Sequence, residues 1–441
     1  MSTLKAGFGR RLITPPLGTP ISGYYEKRFA KGVLDELYAS AIALSDGEKK
    51  VVMIGADIIY LTIDQAAEYR NLISEFCNIP VEAIHINASH THTGPKIVED
   101  EKYRAFLGIQ LRDAAAMALD DLKPAKLAVA EGEAKGISFV RRYRMKNGNV
   151  QTNPGVDNPE VDHALATPNE TVKLVEVIRE GGDDIYLVSF GTHADTIGGE
   201  LISGDWPGFV VRTVEKSLDD VKCIFLSAPQ GDVNHINPFP TAGDRNGLEY
   251  DTFDGVPRGY EHARHMGNVV AGAVLQICGK AEILPDAKIS YAEKVTKLPT
   301  FRENDKLEEA RRIYELHQAG RDDEIPFEKM ELTTVVAEAT RRVALENGPD
   351  FFEYTLGAVS IGDIVFCAVP GEMFTELGNR VCEESPYKTT LVCCLTNASG
   401  TYFPTRKAYD EGGYEARSSK LAPGYDDIMV KDIIELFESV K

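Results

Sequence analysis

Runs built almost wholly of apolar and β-branched residues recur along the chain, and stretches with helical spacing lie between them. KVVMIGADIIYL, AIHINA, KLAVAEG, VKLVEVI, IYLVSFG, KCIFLSA, DIVFCAVP and TLVCCLT have the length and composition of strands. Several lack any polar alternation, which is the pattern of central strands covered on both faces. Between them, DQAAEYRNLISEFC, YRAFLGIQLRDAAAMALDDL, PGFVVRTVEKSLDD and EHARHMGNVVAGAVLQIC place apolar residues at three-to-four spacing, so they predict amphipathic helices. The combination predicts an α/β fold of mixed β-sheets covered by helices. No internal repeat, low-complexity tract or Gly/Ser linker divides the 441 residues, and residues 1–441 are expected to form one large catalytic domain. The texture changes near residue 302. From there to about residue 346 the sequence is charged and helix-prone, broken only at IPF, which predicts a helical excursion, either a solvated hairpin or a lid over a site.

Charge narrows the classes of partner. With 48 basic against 68 acidic residues the net charge is −20, which repels nucleic acid and anionic membrane surfaces and favours a small-molecule substrate. A homo-oligomer is compatible with this composition. The opening MSTLKAGFGRRLITPPLG runs through two arginines into prolines, where a secretory signal needs a continuous apolar core. No stretch approaches the roughly 18 apolar residues of a membrane span, so a cytoplasmic protein without a membrane anchor is expected. Seven cysteines without a C-x-x-C pair read as buried thiols, with neither disulfides nor thiolate metal sites expected. GFGRRLI lacks the following G-x-x-G, and no phosphate-binding loop occurs, which leaves nucleotide chemistry without support.

The polar residues that remain gather at strand ends, where α/β folds place their ligands. His90 and His92 of NASHTHTGP follow AIHINA, and His193 follows IYLVSFGT. Residues two apart in an extended segment point to one side, so His90 and His92 are expected to face one cavity, as a ligand and a proton carrier. Each could equally cap its loop through a hydrogen bond. CAVPGEMF leaves a strand through Pro370 and Gly371 and is expected to put Glu372 in the first turn of a helix, where capping alone would explain it. LTNASGTYFPT exposes Tyr402, also an ordinary rim residue, and SAPQGDVNHIN offers Asp232, Asn234 and His235, also ordinary turn residues. Two or three histidines, a carboxylate and a phenol are a donor set suited to zinc at a catalytic position open to water.

In order along the chain, these motifs resemble the neutral (non-lysosomal) ceramidase family of zinc-dependent amidases. AGFGRRLITPPLGTPISGYYEKRFAKGVLDELYASAIAL resembles the family's opening, with Leu12 where Asp is usual. SHTHTGP resembles its T-H-T-H-S-G-P, FGTHADTIGGELISGDWPG its second histidine segment, PGEMFTELG its P-G-E turn, and GTYFPTRKAYDEGGYEARS its closing Y-x-T-x-x-E-Y and Y-E-A stretch. The resemblance implies a ceramidase-like fold, Zn2+ as cofactor, and ligands at His90, His193, Glu372 and Tyr402. It implies that His92 hydrogen-bonds the reacting group or moves a proton, and that Arg141 faces the site, with Val140 where the family has Asn and Arg142 as the neighbouring option. Where the family has G-D-V-S-P-N, this chain has Asn234 for the serine and His235 for the proline. An amide cannot be a nucleophile, although it can orient a carbonyl or stabilise an oxyanion. The expected chemistry is therefore hydrolysis, by a metal-activated water, of an amide bond in a soluble small molecule. Proton transfer falls to His92 or to Asp195, which could alternatively orient His193. An ester, lactone or sugar-derived substrate, or an inactive metal-binding homologue, are the other readings.

Overall fold

The computed structural model describes residues 4–241, 253–256, 258–285, 288–303 and 305–441. Every apolar run named above contains a strand. In chain order the long strands are β1 (Lys5–Leu12), β2 (Tyr38–Ser45), β3 (Lys50–Ala56), β4 (Ile84–Ala88), β5 (Lys123–Glu133), β6 (Thr171–Arg179), β7 (Asp184–Phe190), β8 (Val221–Ser227), β9 (Ile289–Pro299), β10 (Phe351–Ile361), β11 (Ile364–Ala368) and β12 (Thr389–Cys393). The longer helices are α1 (Ile63–Cys77), α2 (Glu101–Asp120), α3 (Asp205–Ser217), α4 (Tyr260–Ile277), α5 (Leu307–Gln318), α6 (Lys329–Leu345) and α7 (Thr375–Glu384). The shorter α8 (Arg406–Glu411) and α9 (Tyr414–Ser418) precede α10 (Tyr425–Ser439).

The expected mixed sheets with surrounding helices are present. The larger sheet runs β8-β7-β6-β5-β1-β2-β3-β4, and the smaller runs β9-β10-β11-β12. Only β7–β8, β3–β4 and β11–β12 among these neighbours are parallel. Side chains of the two sheets meet directly: Ile42, Met53, Leu187 and Leu226 of the first pack with Val359, Phe366 and Leu391 of the second. The opposite face of the larger sheet is covered at one end by α1 and α2, through Tyr69, Ile73, Leu107 and Leu111. Trp206, Val210, Val270 and Val274 of α3 and α4 cover its other end. Residues of α7 and α10, among them Leu377, Ile433 and Phe437, cover the far side of the smaller sheet. Each central strand thus lies between a helix layer and another sheet, which is why its sequence shows no polar alternation.

The larger sheet curls until its edges meet. Gly55 of β3 lies against the Phe225 carbonyl of β8, where a Cβ would come within 2.6 Å of that oxygen. Asn87 of β4 closes the seam. Its Oδ1 accepts from Ser227 N (2.9 Å), and its Nδ2 donates to Cys394 O (2.7 Å) and to Thr396 Oγ1 (2.9 Å). The ends of β4, β8 and β12 are thereby gathered at one point.

The charged segment forms the α5–α6 helical pair with a small core of its own, in which Ile325 packs with Val335 and Val336. It docks on α9 through Arg417, which pairs with Glu331 (2.8 Å) and Glu338 (2.6 Å) of α6. All seven cysteines are free thiols, and three of them are only partly buried. Among the described residues no helix is long and apolar enough to cross a membrane.

Because Asn87 is buried, Asn87→Ala leaves Ser227 N–H without a partner and takes one of two donors from Cys394 O, which keeps Thr396 Oγ1 (3.2 Å). A destabilisation of about 1–3 kcal/mol is expected, read as a lower Tm by calorimetry.

Candidate metal centre

Three strand ends and one short ladder supply the site. After β4 the chain does not stay extended, as the H-T-H spacing predicts: His90 adopts a left-handed conformation (φ 70°). Its amide is held by Ile58 O (3.0 Å), and the amide of His92 is held by Ala194 O (3.0 Å). The kink still brings both rings into one cavity, with their Nε2 atoms 3.3 Å apart. His193 follows β7, and its carbonyl accepts from Trp206 Nε1 (3.0 Å).

Glu372 is not in the first turn of a helix. It lies in a two-residue strand, Glu372–Met373, paired in parallel with Tyr402–Phe403, and α7 begins only at Thr375. The ladder, with Glu372 N bonded to Thr401 O (3.1 Å), sets Glu372 and Tyr402 side by side facing the histidines.

The polar atoms converge. Glu372 Oε2 lies 3.1 Å from His193 Nε2 and 3.4 Å from His90 Nε2, while Tyr402 Oη is 3.5 Å from His193 Nε2. The ligand atoms of His90, His92 and His193 lie within 4.8 Å of one another, a grouping that could hold a metal ion. Tautomers follow from the outer partners. His90 Nδ1 faces Ile59 O at 2.9 Å, and His193 Nδ1 faces Gln230 O at 2.9 Å. A carbonyl can only accept, so each Nδ1 carries the proton and each neutral ring turns a lone pair on Nε2 inward. Those lone pairs face Glu372 Oε2, a buried atom with no hydrogen-bond donor. Acceptors brought this close in a buried pocket repel one another, Arg141 offsets this only at His193, and a bound cation would relieve the rest.

Without a cation, the same closeness couples the titration of these groups. Burial opposes ionisation of Glu372, yet the His90 and His193 rings hold its carboxyl well below the usual range. Burial also disfavours the charged form of His90, but Glu372 beside it outweighs this and raises its pKa. Burial, reinforced by Arg141, lowers that of His193. His92, pushed well down by burial and then by His90, has a buried Nδ1 without a partner.

Arg141 faces this cluster. Its Nη1 lies 3.4 Å from His193 Nε2, and its Nη2 donates to Gly231 O (2.6 Å) and pairs with Glu415 Oε1 (2.9 Å). Arg142 points elsewhere, to Glu411 (3.1 Å) and Gly412 O (2.8 Å). Asn234 is held by Asn153, with its Nδ2 3.0 Å from Asn153 Oδ1, and its own Oδ1 accepts from Ile236 N (3.0 Å). Asp195 pairs with His235 (3.0 Å), whereas the Nδ1 of His193 is engaged by carbonyls. Asp232 accepts from the amide and hydroxyl of Thr375, both at 2.8 Å, and so ties this loop to α7.

Sequence reasoning missed three participants. Glu415, fully buried, anchors Arg141; it sits in the closing Y-E-A stretch, the only signal for it. Tyr24, from the G-Y of the opening motif, packs edge-on against His92 (5.5 Å). Arg28, for which the sequence carries no signal, stacks over Tyr24 (4.3 Å) and donates to His92 O (2.8 Å).

No protein-family model matches the sequence, and no curated protein matches it. Solved structures do. Neutral ceramidase from Pseudomonas aeruginosa superposes with a TM-score of 0.74 at 15% identity, covering 100% of this chain and 75% of that one. A ceramidase complexed with C2 gives a TM-score of 0.72 at 15% identity, covering 100% and 76%. The fold is that of neutral ceramidase. On this neutral-ceramidase-like frame the convergent atoms lie where β4 and β7 end, with the Glu372–Tyr402 ladder completing the cluster.

Titration of chelator-treated protein with a divalent metal is expected to show one tight equivalent by calorimetry. His90→Ala and His193→Ala are each expected to weaken it by at least about 100-fold, with folding intact by circular dichroism.

Proposed function

We propose that the protein is a zinc-dependent hydrolase that cleaves an amide bond of a soluble small molecule. The observation that carries this reading is the convergence of inward-facing acceptors on His90, His193 and Glu372, with Glu372 Oε2 buried and without a hydrogen-bond donor. With Tyr402 they make four nitrogen and oxygen donors of the type zinc takes in catalytic sites. When bound there, zinc would polarise a substrate carbonyl and lower the pKa of water toward about 7.

The protein side chains supply the rest. His90 and His193 have their Nδ1–H groups fixed by carbonyls, as ligands require. His92 has no such orienting partner, which suits it to accepting a proton from the attacking water and delivering it to the leaving nitrogen. The Arg141 guanidinium, kept charged by Glu415, stabilises negative charge developing on the carbonyl oxygen. Asn234 offers an amide and no nucleophile, so hydrolysis proceeds by direct attack of water, without an acyl-enzyme. The solved neighbours carry the name ceramidase, which favours an amide. The net charge of −20 favours a soluble substrate over one embedded in an anionic membrane. An ester or lactone is the second reading, favoured by the absence of a hydroxyl nucleophile at Asn234, since such carbonyls yield to water more readily than amides.

Purified protein is expected to contain one zinc per chain by mass spectrometry, and to lose hydrolysis of a panel of short acyl amides and esters on chelation. His92→Ala should lower kcat/KM by about 10²- to 10⁴-fold with zinc content retained. Full activity in zinc-free protein overturns the reading, and relative rates on the panel separate amide from ester.

A further inference from the structure

His235 is a buried histidine that the chemistry above leaves unused. It follows β8, and its Nδ1 lies 3.0 Å from Asp195 Oδ1 in the loop that follows β7. The ring is almost fully buried, whereas the Asp195 side chain keeps 18% of its surface exposed, so the pair is not wholly enclosed.

Both ends of the pair are fixed. Ala194, next to Asp195, binds the His92 amide through its carbonyl (3.0 Å). On the other side, Asn234 is locked to Asn153 and to the amide of Ile236, which sets the backbone that carries His235. His262 of α4 packs edge-on against the His235 ring at 5.9 Å and limits its rotation. The carboxylate lies within electrostatic reach of the metal centre, since its charge acts on His90, His92 and Arg141.

An ionised carboxylate can only accept hydrogen bonds, so the proton between the two residues sits on His235 Nδ1. An aspartate held this way by one oxygen keeps the second free in a single orientation. Fixing a polar group before the reaction removes the cost of orienting it during the reaction.

We propose that His235 is a positioning residue: by donating Nδ1–H to Asp195 Oδ1 it holds the second carboxylate oxygen toward the cavity of His92 and His193, where that oxygen accepts a hydrogen bond from the attacking water or the substrate N–H. This assignment rests on the hydrolase reading. It makes Asp195 a contact to the reacting groups and His235 the residue that aims it.

The test uses full-length protein loaded with zinc for kinetics and with cobalt(II) for spectroscopy. Variants are His235→Ala, His235→Asn, whose amide nitrogen stands near the place of Nδ1, and His235→Gln, whose amide lies beyond it. Acetohydroxamate binding is followed by the visible spectrum of the cobalt form. His235→Ala is expected to retain one metal per chain, to lower kcat by about 10- to 100-fold with KM nearly unchanged, and to weaken acetohydroxamate by a similar factor. His235→Asn should recover most of both losses and His235→Gln should not.

Unchanged kcat and acetohydroxamate affinity in His235→Ala overturns the proposal, as does loss of metal. If His235→Ala does not fold, the Asn and Gln variants decide: equal behaviour overturns the proposal and Asn above Gln supports it. If the wild type hydrolyses nothing, the hydrolase reading fails. The acetohydroxamate series then still decides whether His235 orients Asp195 beside the metal.

Discussion

One amide side chain holds the architecture together. Asn87 spends its oxygen on the amide of Ser227 and its nitrogen on Cys394 O and Thr396 Oγ1, and so joins both edges of the larger sheet to the last strand of the smaller one. Buried polar groups are costly unless paired, so these three chain segments are specified relative to one another with little latitude. The consequences run outward along each segment. His90 stands three residues past Asn87. The Gln230–His235 loop, which orients His193 and supplies His235, leaves from β8. Beyond β12, Leu395 N bonds Gly371 O (3.1 Å) and Thr396 N bonds Val369 O (3.1 Å), which fixes the turn that presents Glu372.

Around the cluster lies a second layer of buried partners with distinct tasks. Main-chain carbonyls orient His90 and His193 and leave their inner nitrogens as acceptors. Glu415 compensates Arg141 inside the protein, where an unpaired guanidinium would be costly. Glu415 belongs to α9, and α9 is clasped by the α5–α6 excursion through Arg417. The charged segment that reads in sequence as a solvated hairpin or a lid is therefore tied toward the candidate site: Glu338 to Arg417 on α9, and Glu415 on the same helix to Arg141.

Much of the fold was legible because burial leaves a compositional trace. Strands covered on both faces must be apolar throughout, and helices packed on one face must repeat at three-to-four spacing. The histidines stood out because three of them follow buried strands, a shared placement that loop capping does not require. Local conformation was less accessible. Glu372 reads as a helix opener, since Pro-Gly-Glu commonly starts one, but pairing with Tyr402 claims its backbone first. His90 reads as extended, but hydrogen bonds from neighbouring loops hold it left-handed. Neither competitor lies within the window that local sequence rules examine.

The sequence by itself determined which segments are buried, which residues are candidates for chemistry, and, through motif order, which fold they resemble, because these depend on residue type and spacing along the chain. Tertiary structure alone decided the partnerships: Asn87 with Ser227 and Cys394, Arg141 with Glu415, Asp195 with His235, and the carbonyls that set the tautomers of His90 and His193. Each joins residues dozens to hundreds of positions apart. Hydrogen bonds of that range are selected by how sheets curl and stack, and a linear pattern holds no record of that geometry.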